Sequence, residues 1–453
     1  MAATLSYIAE PERKTAVGGE FEVIVLGGGP AGIAAATAAA MHGRKVLLVE
    51  RYGFLGGMGT AAGVTNFCGL HANVYGEIRQ VVHGVADDLL ARIDRLGGLN
   101  APHQVLGKTF AQAYDTAAYK CAADEVLLSR GVDISFHTLA AGVVMDSLSR
   151  IKALLIETKS GRSAMLGQVF IDCSGDGDLA AFAGAPYEKG DADGNMLYPT
   201  MMFRVNGVDS VLAGEAWRTI PALMEAAEQR GVKFPRKGAI VRPQKHSSEW
   251  RVNVTQVKNS QGHAVDATDG MQLSAGEIEG RRQALTFFEF LRREAPGFAD
   301  AYIVDIPPQL GVRETRRILG VYQLTADDVI SCADFPDTIG VNGWPIENHV
   351  AGDVVWRWPE IPKSRGFNQL PYRMLSPPGF DNLLVAGRCA SMTHEGQSAA
   401  RVSGPCFVMG QAAGTAAHLT LAGNSNCADI GIDTLQATLE GDGAYLGCDT
   451  AKE

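Results

Sequence analysis

Phe21-Glu-Val-Ile-Val-Leu-Gly-Gly-Gly-Pro-Ala-Gly32 is followed by small residues up to His42 and then by Lys45-Val-Leu-Leu-Val-Glu50. The first six residues form an apolar, β-rich run that is typical of a buried parallel strand. The small residues after the glycines predict a helix, Gly43 ends it, and the second apolar run predicts another strand. Together these segments predict a βαβ unit of about 30 residues, which decides the fold of this end of the chain.

The glycines between the first strand and the helix follow the spacing Gly27-x-Gly29-x-x-Gly32. This spacing indicates a dinucleotide-binding turn because a strand precedes it, a helix follows it and an acidic residue ends the next strand. Gly27 permits the tight turn, Gly29 lets the backbone approach a pyrophosphate, and Gly32 lets the helix pack closely on the strand. The pyrophosphate then lies at the helix N-terminus, and Glu50 is placed to accept hydrogen bonds from a ribose.

Composition and charge exclude several classes of protein. The chain has 453 residues, of which 46% are hydrophobic and 20% charged, as in a globular protein with a large core. Its length suggests about three domains at roughly 150 residues each. The chain has 40 Lys and Arg against 50 Asp and Glu, a formal net charge of −10. We therefore expect no nucleic-acid partner, because phosphate contacts need a surplus of Lys and Arg.

The eight cysteines form no Cys-x-x-Cys pair. This argues against a zinc ribbon, an iron–sulfur cluster or a redox dithiol, so we expect reduced thiols and no metal site. The first twenty residues lack the apolar region of a signal peptide. The longest run of small apolar residues, 31–41, is far short of the ~20 residues that a membrane helix needs. We expect a cytoplasmic protein without a membrane span.

The two ends of the chain have α/β patterns, whereas the middle has a different pattern. A helix is expected near residues 115–130, followed by four strands that end near Asp172, and a strand and a small-residue helix return after residue 382. Strands near 201–205 and 251–254 suggest a mixed or antiparallel sheet in between. We predict an α/β fold with a discontinuous Rossmann-type domain, formed by residues 1–185 and 376–453, and an inserted α+β substrate domain at residues 186–375.

A long helix is expected in the predicted insertion. Ser274-Ala-Gly-Glu277 has the form of a capping box that opens it, and Pro296-Gly297 closes it. Ile278, Leu285, Phe288 and Leu291 recur at helical spacing, so we expect them to face the core.

Three further glycine-rich segments favour FAD over NAD as the dinucleotide. Arg51-Tyr-Gly-Phe-Leu-Gly-Gly-Met-Gly-Thr60 follows the second strand, and Val169-Phe-Ile-Asp-Cys-Ser-Gly-Asp-Gly-Asp178 ends a later one. Leu384-Val-Ala-Gly-Arg388 precedes a helix whose N-terminus is able to face a flavin. The spacing Gly175-x-Gly177-x-x-Ala180 imitates a second nucleotide turn, but no second βαβ pattern follows it. We therefore assign this loop to the FAD-binding domain.

With these segments the chain resembles the FAD-dependent oxidoreductase family of glutathione-reductase-type flavoproteins, whose relatives include fumarate reductase flavoprotein subunits. Further motifs that carry the resemblance are Gly311-Val-Arg-Glu-Thr-Arg-Arg-Ile318 and Met409-Gly-Gln-Ala-Ala-Gly-Thr415. The resemblance covers nearly the whole chain and implies a glutathione-reductase-like FAD domain.

The resemblance also implies which residues bind the cofactor. Val402 and Ser403 would approach the flavin pyrimidine edge, where a helix dipole stabilises charge on the reduced ring. We expect the FAD to be non-covalent, because His71 reads as a loop or core histidine rather than an attachment site. The other residues expected at FAD are Gly27, Gly29, Pro30, Ala31, Gly32, Glu50, Arg51, Gly57, Met58, Thr60, Leu139, Ser174, Gly175, Gly387 and Arg388.

Five residues are candidates for substrate chemistry. Arginine suits a bidentate grip on a carboxylate, and a histidine can move a proton while the flavin takes a hydride. The alternatives are that Arg316 and Arg317 form structural ion pairs and that His349 is a core histidine with its hydrogen bonds satisfied. The candidates are Arg313, His349, Arg373, His394 and Arg401.

The favoured function is an FAD-dependent dehydrogenase or oxidase that moves a hydride from a small organic molecule to flavin N5. The arginines favour a substrate that carries a carboxylate. Because no dedicated nicotinamide domain is visible, we expect oxygen, a quinone or a protein carrier to accept the electrons. Two alternatives stay open, an NAD(P)H-dependent flavin monooxygenase and an electron-transfer subunit of a larger complex. Gly387-Arg388 stands where monooxygenases usually have Gly-Asp, and the oligomeric state, including a homo-oligomer, stays open.

Overall fold

A seven-stranded sheet built from both ends of the chain organises the computed structural model, which describes residue 8 and residues 10–448. The strand Ala16–Leu26 pairs in parallel with Val46–Val49 on one side and with Gly161–Asp172 on the other. Leu383–Val385 is added in parallel to the end of Gly161–Asp172. The predicted βαβ unit is confirmed, and the fold is mixed α/β with a parallel-strand sheet. The remaining strands of this sheet are Asp133–Ser135, Leu139–Met145 and Ile151–Thr158.

Two helices rich in small residues, Pro30–Met41 and Ser403–Gly423, pack against each other at very short range. A Cβ atom at Gly410 would lie 2.1 Å from the carbonyl oxygen of Ala31, and one at Gly414 would lie 2.1 Å from that of Ala35. Because the contacts advance by four residues along both helices, the helices run in the same direction. Their N-termini therefore point towards the same side of the sheet.

Buried apolar residues form two separate clusters. The larger cluster takes its residues from positions 23–185 and 318–446 and surrounds the seven-stranded sheet. The smaller cluster lies between positions 201 and 310, where Trp250 and Phe298 pack edge to face. Its four-stranded antiparallel sheet has the order Ile240–Pro243, Trp250–Asn253, Phe203–Asn206, Tyr302–Asp305, and its helices are Ser210–Ala213, Ala216–Gln229 and Gly270–Glu294.

Shorter elements connect these cores and form loops around them. The short strands are Asn66–Phe67, His71–Val74, Glu77–Gln80, His103–Val105, Thr109–Ala113, Tyr187–Glu188, Arg317–Ile318, Thr338–Asn342, Ile346–Asn348, Val355–Arg357 and Asn368–Pro371. The other α-helices are Met58–Ala61, Val85–Arg95, Thr116–Leu128, Asp178–Phe182, Ala326–Ser331, His394–Ala400 and Ile432–Gly441, and the 3₁₀ turns are Tyr372–Met374 and Cys427–Asp429.

The long helix differs from the sequence prediction at its start and on its buried face. It begins at Gly270 because the Asp269 carboxylate accepts from the backbone N–H groups of Met271 and Gln272, at 2.9 and 3.1 Å. Ser274 therefore lies inside the helix and is not its cap.

The prediction that Ile278 and Leu285 face the core is wrong, since they are 67% and 50% exposed, whereas Leu291 is fully buried. The buried face uses small residues, Gly276, Gly280 and Ala284, in its first part and Phe287, Phe290 and Leu291 in its last part. A Cβ atom at Gly280 would lie 2.8 Å from the side chain of Met201, so the helix lies too close to the sheet for a larger side chain.

The eight cysteines are free thiols, of which Cys173, Cys389, Cys406 and Cys427 are buried, whereas Cys121 and Cys448 are exposed. Within the described residues, no helix is long and apolar enough to cross a membrane. In that same part of the chain, no group of three or more His, Cys, Asp and Glu side chains is arranged to hold a metal ion.

Candidate active site

A cavity of about 500 Å³ lies between the dinucleotide turn and the smaller core. Among the described residues, eight Arg and Lys line it but only three Asp and Glu, in a chain whose formal net charge is −10. The cavity therefore favours anionic ligands, whereas the chain as a whole does not. Its charged lining residues are Glu50, Arg51, Arg236, Lys237, Arg242, Arg251, Arg313, Glu347, Asp353, Arg388 and Arg401.

The glycines of the dinucleotide turn have distinct structural roles. Gly27 has a φ of +99°, and a Cβ atom there would lie 2.4 Å from the carbonyl oxygen of Cys173. A Cβ atom at Gly32 would lie 1.8 Å from the carbonyl oxygen of Gly27. At Gly29 the nearest atom to such a Cβ is the Cα of Gly57, at 3.6 Å. The fold thus requires Gly27 and Gly32, whereas Gly29 leaves bare backbone at the cavity, beside Pro30 and Ala31.

Glu50 is held at the end of its strand by two backbone N–H groups. Its Oε2 accepts from Gly28 at 2.7 Å, and its Oε1 accepts from Tyr52 at 2.9 Å. The residue is 6% exposed, and burial raises the pKa of its carboxyl group. Each carboxylate oxygen keeps a lone pair, so Glu50 is still able to accept a ribose hydroxyl.

The second glycine-rich loop touches the first. Gly57 has a φ of +53° and lines the cavity together with Met58. Thr60 lies behind them, where its hydroxyl donates to the carbonyl oxygen of Leu55 at 2.6 Å, and it does not line the cavity. Leu139 is 56% exposed and also lies outside the lining.

An acidic residue that the sequence analysis did not single out anchors the positive groups near the turn. Asp176 Oδ1 lies 3.0 Å from the NH2 of Arg388, and its Oδ2 lies 3.9 Å from the NH1 of Arg51. Burial alone would raise the pKa of Asp176, but Arg388 and Arg51 hold it below its ordinary value. Its place in a Gly-Asp-Gly loop next to Ser174 and Gly175, both of which line the cavity, is a signal that could have identified it.

The start of the helix Ser403–Gly423 completes this end of the cavity. Val402 and Ser403 line the cavity, as does Gly387. The hydroxyl of Ser403 accepts from the N–H of Cys68 at 3.0 Å and lies 3.1 Å from the Cys68 carbonyl oxygen, to which it donates. These bonds fix the helix N-terminus against the strand Asn66–Phe67.

The residues of this region fit FAD. Bare backbone at Gly29 and Gly57 leaves room for a ligand to lie against the main chain. Glu50 supplies a buried acceptor for a ribose, and Arg51 and Arg388 supply positive charge for a diphosphate. All five residues line the same cavity.

Arg313 and Arg401 extend the positive lining towards the smaller core. The NH1 of Arg313 donates to the carbonyl oxygen of Tyr198 at 2.7 Å and to the hydroxyl of Thr200 at 2.6 Å. The NH2 of Arg401 lies 3.9 Å from Glu347 Oε2. Burial lowers the pKa of both guanidinium groups, which indicates that the surrounding residues compensate their charges incompletely.

Three further arginines of the lining, Arg236, Arg242 and Arg251, were missed by the sequence analysis. Arg236 and Arg251 are 3% and 4% exposed, and burial lowers the pKa of Arg236 to about 10. Their Nε atoms, like that of Arg401, have no hydrogen-bond partner among the described residues. Arg251 lies in the antiparallel sheet of the smaller core, so only the pairing of distant strands could have indicated that it reaches this cavity.

His349 and Glu347 form a buried pair in the lining. His349 Nε2 lies 3.0 Å from Glu347 Oε1, and the indole N–H of Trp344 donates to Glu347 Oε2 at 3.0 Å. Burial and the nearby Arg313 lower the pKa of His349 to about 3. Burial opposes ionisation of Glu347, but His349, Arg401 and Trp344 lower its pKa to about 2. At neutral pH an ionised carboxylate therefore faces a neutral imidazole.

Two of the predicted catalytic residues lie outside the cavity. His394 Nδ1 is 2.9 Å from Glu314 Oε2, inside a buried group that includes Arg317. Arg373 has a side chain that is 39% exposed, with its NH1 3.5 Å from Asp337 Oδ1. His71, the alternative attachment site for a flavin, does not line the cavity either.

The segment around Arg313 contributes one arginine to the cavity and two arginines to ion pairs elsewhere in the fold. Arg316 donates to Asp178 Oδ1 at 2.8 Å, and Arg317 pairs with the buried Glu314. Both are the structural ion pairs that the sequence analysis kept as an alternative, and Arg313 alone of the three arginines lines the cavity.

The chain has matches among solved structures and among family models. Three solved structures align with most of this chain, with TM-scores of 0.48, 0.44 and 0.43: a geranylgeranyl bacteriochlorophyll reductase-like protein from Thermoplasma acidophilum, p-nitrophenol 4-monooxygenase from Pseudomonas putida and anhydrotetracycline hydroxylase from Streptomyces rimosus. They are 13%, 12% and 11% identical, and each alignment covers 93% of this chain and 91%, 81% and 65% of theirs, respectively. No match was found among curated proteins. The family model for FAD dependent oxidoreductases matches residues 22–439, so this chain belongs to that family of FAD-dependent enzymes.

Proposed function

We propose that the enzyme is a dehydrogenase or oxidase that takes a hydride from a small organic molecule carrying a carboxylate. The observation that supports this most directly is the group of buried arginines beside the Glu347–His349 pair, in the cavity that also contains the dinucleotide turn. Glu50, Gly29, Gly57, Arg51 and Arg388 would hold the cofactor. Bound FAD would supply the hydride acceptor.

The arginines would bind the substrate carboxylate. Arg236, Arg251 and Arg313 are each less than a tenth exposed, and the nearest buried carboxylate, Glu347, is already held by His349 and Trp344. Leaving several guanidinium groups buried without enough negative charge is costly. An anionic substrate group would relieve this cost by supplying the missing negative charge.

His349 would remove the proton from the carbon-bound hydroxyl or amino group that is oxidised. If Nε2 carries the hydrogen and donates it to Glu347, Nδ1 keeps a lone pair and acts as the acceptor. The negative charge of Glu347 would stabilise the imidazolium that forms, and Arg313 would oppose it. A substrate carboxylate bound by Arg313 would offset that charge and raise the pKa of His349 from its low value in the free enzyme. The pair would thus work as a general base oriented by a carboxylate.

We also propose the division into a glutathione-reductase-like FAD domain, from residues 1–185 and 376–453, and a substrate domain inserted at residues 186–375. The separate apolar cluster between positions 201 and 310 supports an insertion, although the core residues at positions 318–375 belong to the larger cluster.

The electron acceptor would be oxygen, a quinone or a protein carrier. Among the described residues, the loop with Gly175 and Gly177 is followed by the five-residue helix Asp178–Phe182 and then by Tyr187–Glu188, which pairs antiparallel with Arg317–Ile318. This arrangement is not the βαβ unit that a second dinucleotide site needs.

Anaerobic reduction of the FAD-loaded enzyme tests the proposed function. We expect the yellow colour to bleach with members of a panel of hydroxy and amino acids and to persist with the matching amides. Arg313→Met should abolish the preference for acids, whereas Arg218→Met, which changes a side chain that is 71% exposed, should keep it. Equal reduction by acids and amides, or rapid bleaching by NADPH alone, would overturn the proposal.

A further inference from the structure

Three tryptophans form a continuous aromatic group beside the cavity. The rings of Trp356 and Trp358 are stacked, with centroids 5.8 Å apart and an interplanar angle of 15°. Trp344 meets Trp356 at 64°, with centroids 6.0 Å apart. Trp344 and Trp356 line the cavity, whereas Trp358 lies outside the lining. Trp358 covers one face of Trp356. Because Trp356 also lines the cavity, another part of its ring is available to a ligand.

This aromatic group lies at the opening of the cavity. The exposed members of the lining are Gln104, Leu106, Lys237, Gly238 and Asp353, and they mark the mouth. Gln104 and Leu106 belong to the hairpin of strands His103–Val105 and Thr109–Ala113.

A cation–π contact ties this hairpin to the tryptophans. The ammonium group of Lys108 lies 5.1 Å from the centre of the Trp358 ring. The stacked pair of Trp356 and Trp358 therefore lies next to this hairpin at the mouth of the cavity.

Strand register brings Trp356 to the same face as the proposed reaction groups. Glu347 and Trp356 are directly paired in the antiparallel hairpin of Ile346–Asn348 and Val355–Arg357, so their side chains share one face. Glu347 in turn contacts His349 and lies beside Arg401. A molecule lying on Trp356 would have its polar end within reach of the base and the arginines.

We propose that the mouth of this cavity is a binding subsite for a planar aromatic ring of the substrate, an inference that rests on the proposed function for the carboxylate. Tryptophan surfaces also bind sugars and cations. Eight Arg and Lys in the lining disfavour a cation. A sugar needs several acceptors for its hydroxyls, but of the three acids in the lining, Glu50 and Glu347 are already engaged. Leu106, Val105 and Met202 add apolar lining that suits a ring.

Four ligands of similar size test separately how the aromatic ring and the negative charge contribute to affinity. Benzoate, benzamide, cyclohexanecarboxylate and cyclohexanecarboxamide are titrated into the FAD-loaded enzyme, and affinity is measured by calorimetry and by quenching of tryptophan fluorescence. We expect benzoate to bind about five- to tenfold more tightly than cyclohexanecarboxylate, which carries the same charge on a non-planar ring. Trp356→Leu should remove that preference and Trp356→Phe should keep most of it, while FAD content stays unchanged.

The two ligand pairs distinguish failure of this inference from failure of the proposed function. Equal binding of benzoate and cyclohexanecarboxylate overturns the aromatic subsite even if acids bind more tightly than amides. Equal binding of benzoate and benzamide, with the ring preference intact, supports the subsite and counts against a carboxylate substrate. If Trp356→Leu does not fold, the four affinities of the unaltered enzyme decide.

Discussion

Gly29 and Gly57 approach each other where the two glycine-rich loops meet. A Cβ atom on Gly57 would lie 2.8 Å from the Cα of Gly29, whereas one on Gly29 would lie 3.6 Å from the Cα of Gly57, an ordinary contact distance. Because Gly29 also has a φ of −76°, alanine fits the protein at this position. The bare backbone of Gly29 therefore serves the ligand rather than the fold.

Gly29→Ala should separate folding from cofactor binding. We expect the apoprotein to keep its melting temperature and to bind FAD about tenfold more weakly, because the added methyl group occupies the place of the pyrophosphate. FAD affinity is measured by fluorescence quenching. Gly32→Ala is the matched comparison and should fail to fold, since its Cβ would lie 1.8 Å from the Gly27 carbonyl oxygen. An unchanged FAD affinity in Gly29→Ala would contradict this assignment.

Glu50→Gln should weaken FAD retention and destabilise the apoprotein. Both carboxylate oxygens accept backbone N–H groups, so an amide NH₂ must face one of these donors and leave it unpaired. We expect a loss of about 1–3 kcal/mol in the free energy of unfolding, measured with urea. Glu20→Gln, at an exposed position of the strand Ala16–Leu26, should change neither quantity. Equal effects of the two substitutions would show that Glu50 has no special role.

The pH dependence of kcat/KM tests the Glu347–His349 pair. His349 acts as a base only when neutral, so activity should persist above its pKa in the folded enzyme and fall as the pH decreases through that value. The pKa of His349 is lowered to about 3 from an ordinary value of 6.5, and we expect no acid limb near 6.5. Glu347→Gln removes a charge that raises this pKa, so it should reduce kcat and move the limb lower still. An acid limb that Glu347→Gln leaves unmoved would argue against His349 as the base.

Local sequence patterns predicted the parts of the site that local geometry determines. The turn at Gly27 and Gly32 depends on contacts between neighbouring strand and helix, and Glu50 follows from the end of the same unit. Val402 was expected at a helix start only because the chain as a whole resembles a known family. For Gly27, Gly32 and Glu50, a short stretch of chain fixes the position of its own residues.

Residues that reach the site through long-range packing could not be predicted in this way. Arg236 and Arg251 come from the smaller core, and their positions depend on the pairing and orientation of its sheet. Arg373 precedes and His394 follows the strand that was predicted after residue 382. Their side chains, however, contact Asp337 and Glu314 and not the cavity. Sequence position specified the element without specifying the direction of the side chain.

Asp176→Asn tests the charge network beside the dinucleotide turn. The substitution leaves Arg388 buried with its charge unpaired, and we expect the apoprotein to lose about 3 kcal/mol in the free energy of unfolding at pH 7. Because the folded pKa of Asp176 is lowered, its contribution is present above the unfolded pKa of 3.8 and is lost as the pH falls through the folded value. The difference between variant and parent should therefore shrink in acid.

Urea unfolding of both apoproteins at pH 7 and below pH 4 measures this difference. Adding Arg388→Met to Asp176→Asn should recover part of the lost stability, because the uncompensated guanidinium is then removed. If the double variant loses more free energy of unfolding than the two single variants lose in sum, the pairing of these residues is contradicted.

Arg401 and Arg373 provide a matched test of which arginines act on the substrate. Arg401 lines the cavity beside Glu347 and has a side chain that is 11% exposed, whereas the Arg373 side chain is 39% exposed and lies outside the lining. Arg401→Met should raise KM for an acid substrate about tenfold and leave that for the neutral amide nearly unchanged, since the lost interaction is with the carboxylate. Arg373→Met should leave both values within about twofold and cost less than about 1 kcal/mol of stability, as expected for a partly exposed ion pair. Steady-state kinetics with an acid and its amide measures these effects, and a larger rise in KM for Arg373→Met than for Arg401→Met would move the carboxylate site out of this cavity.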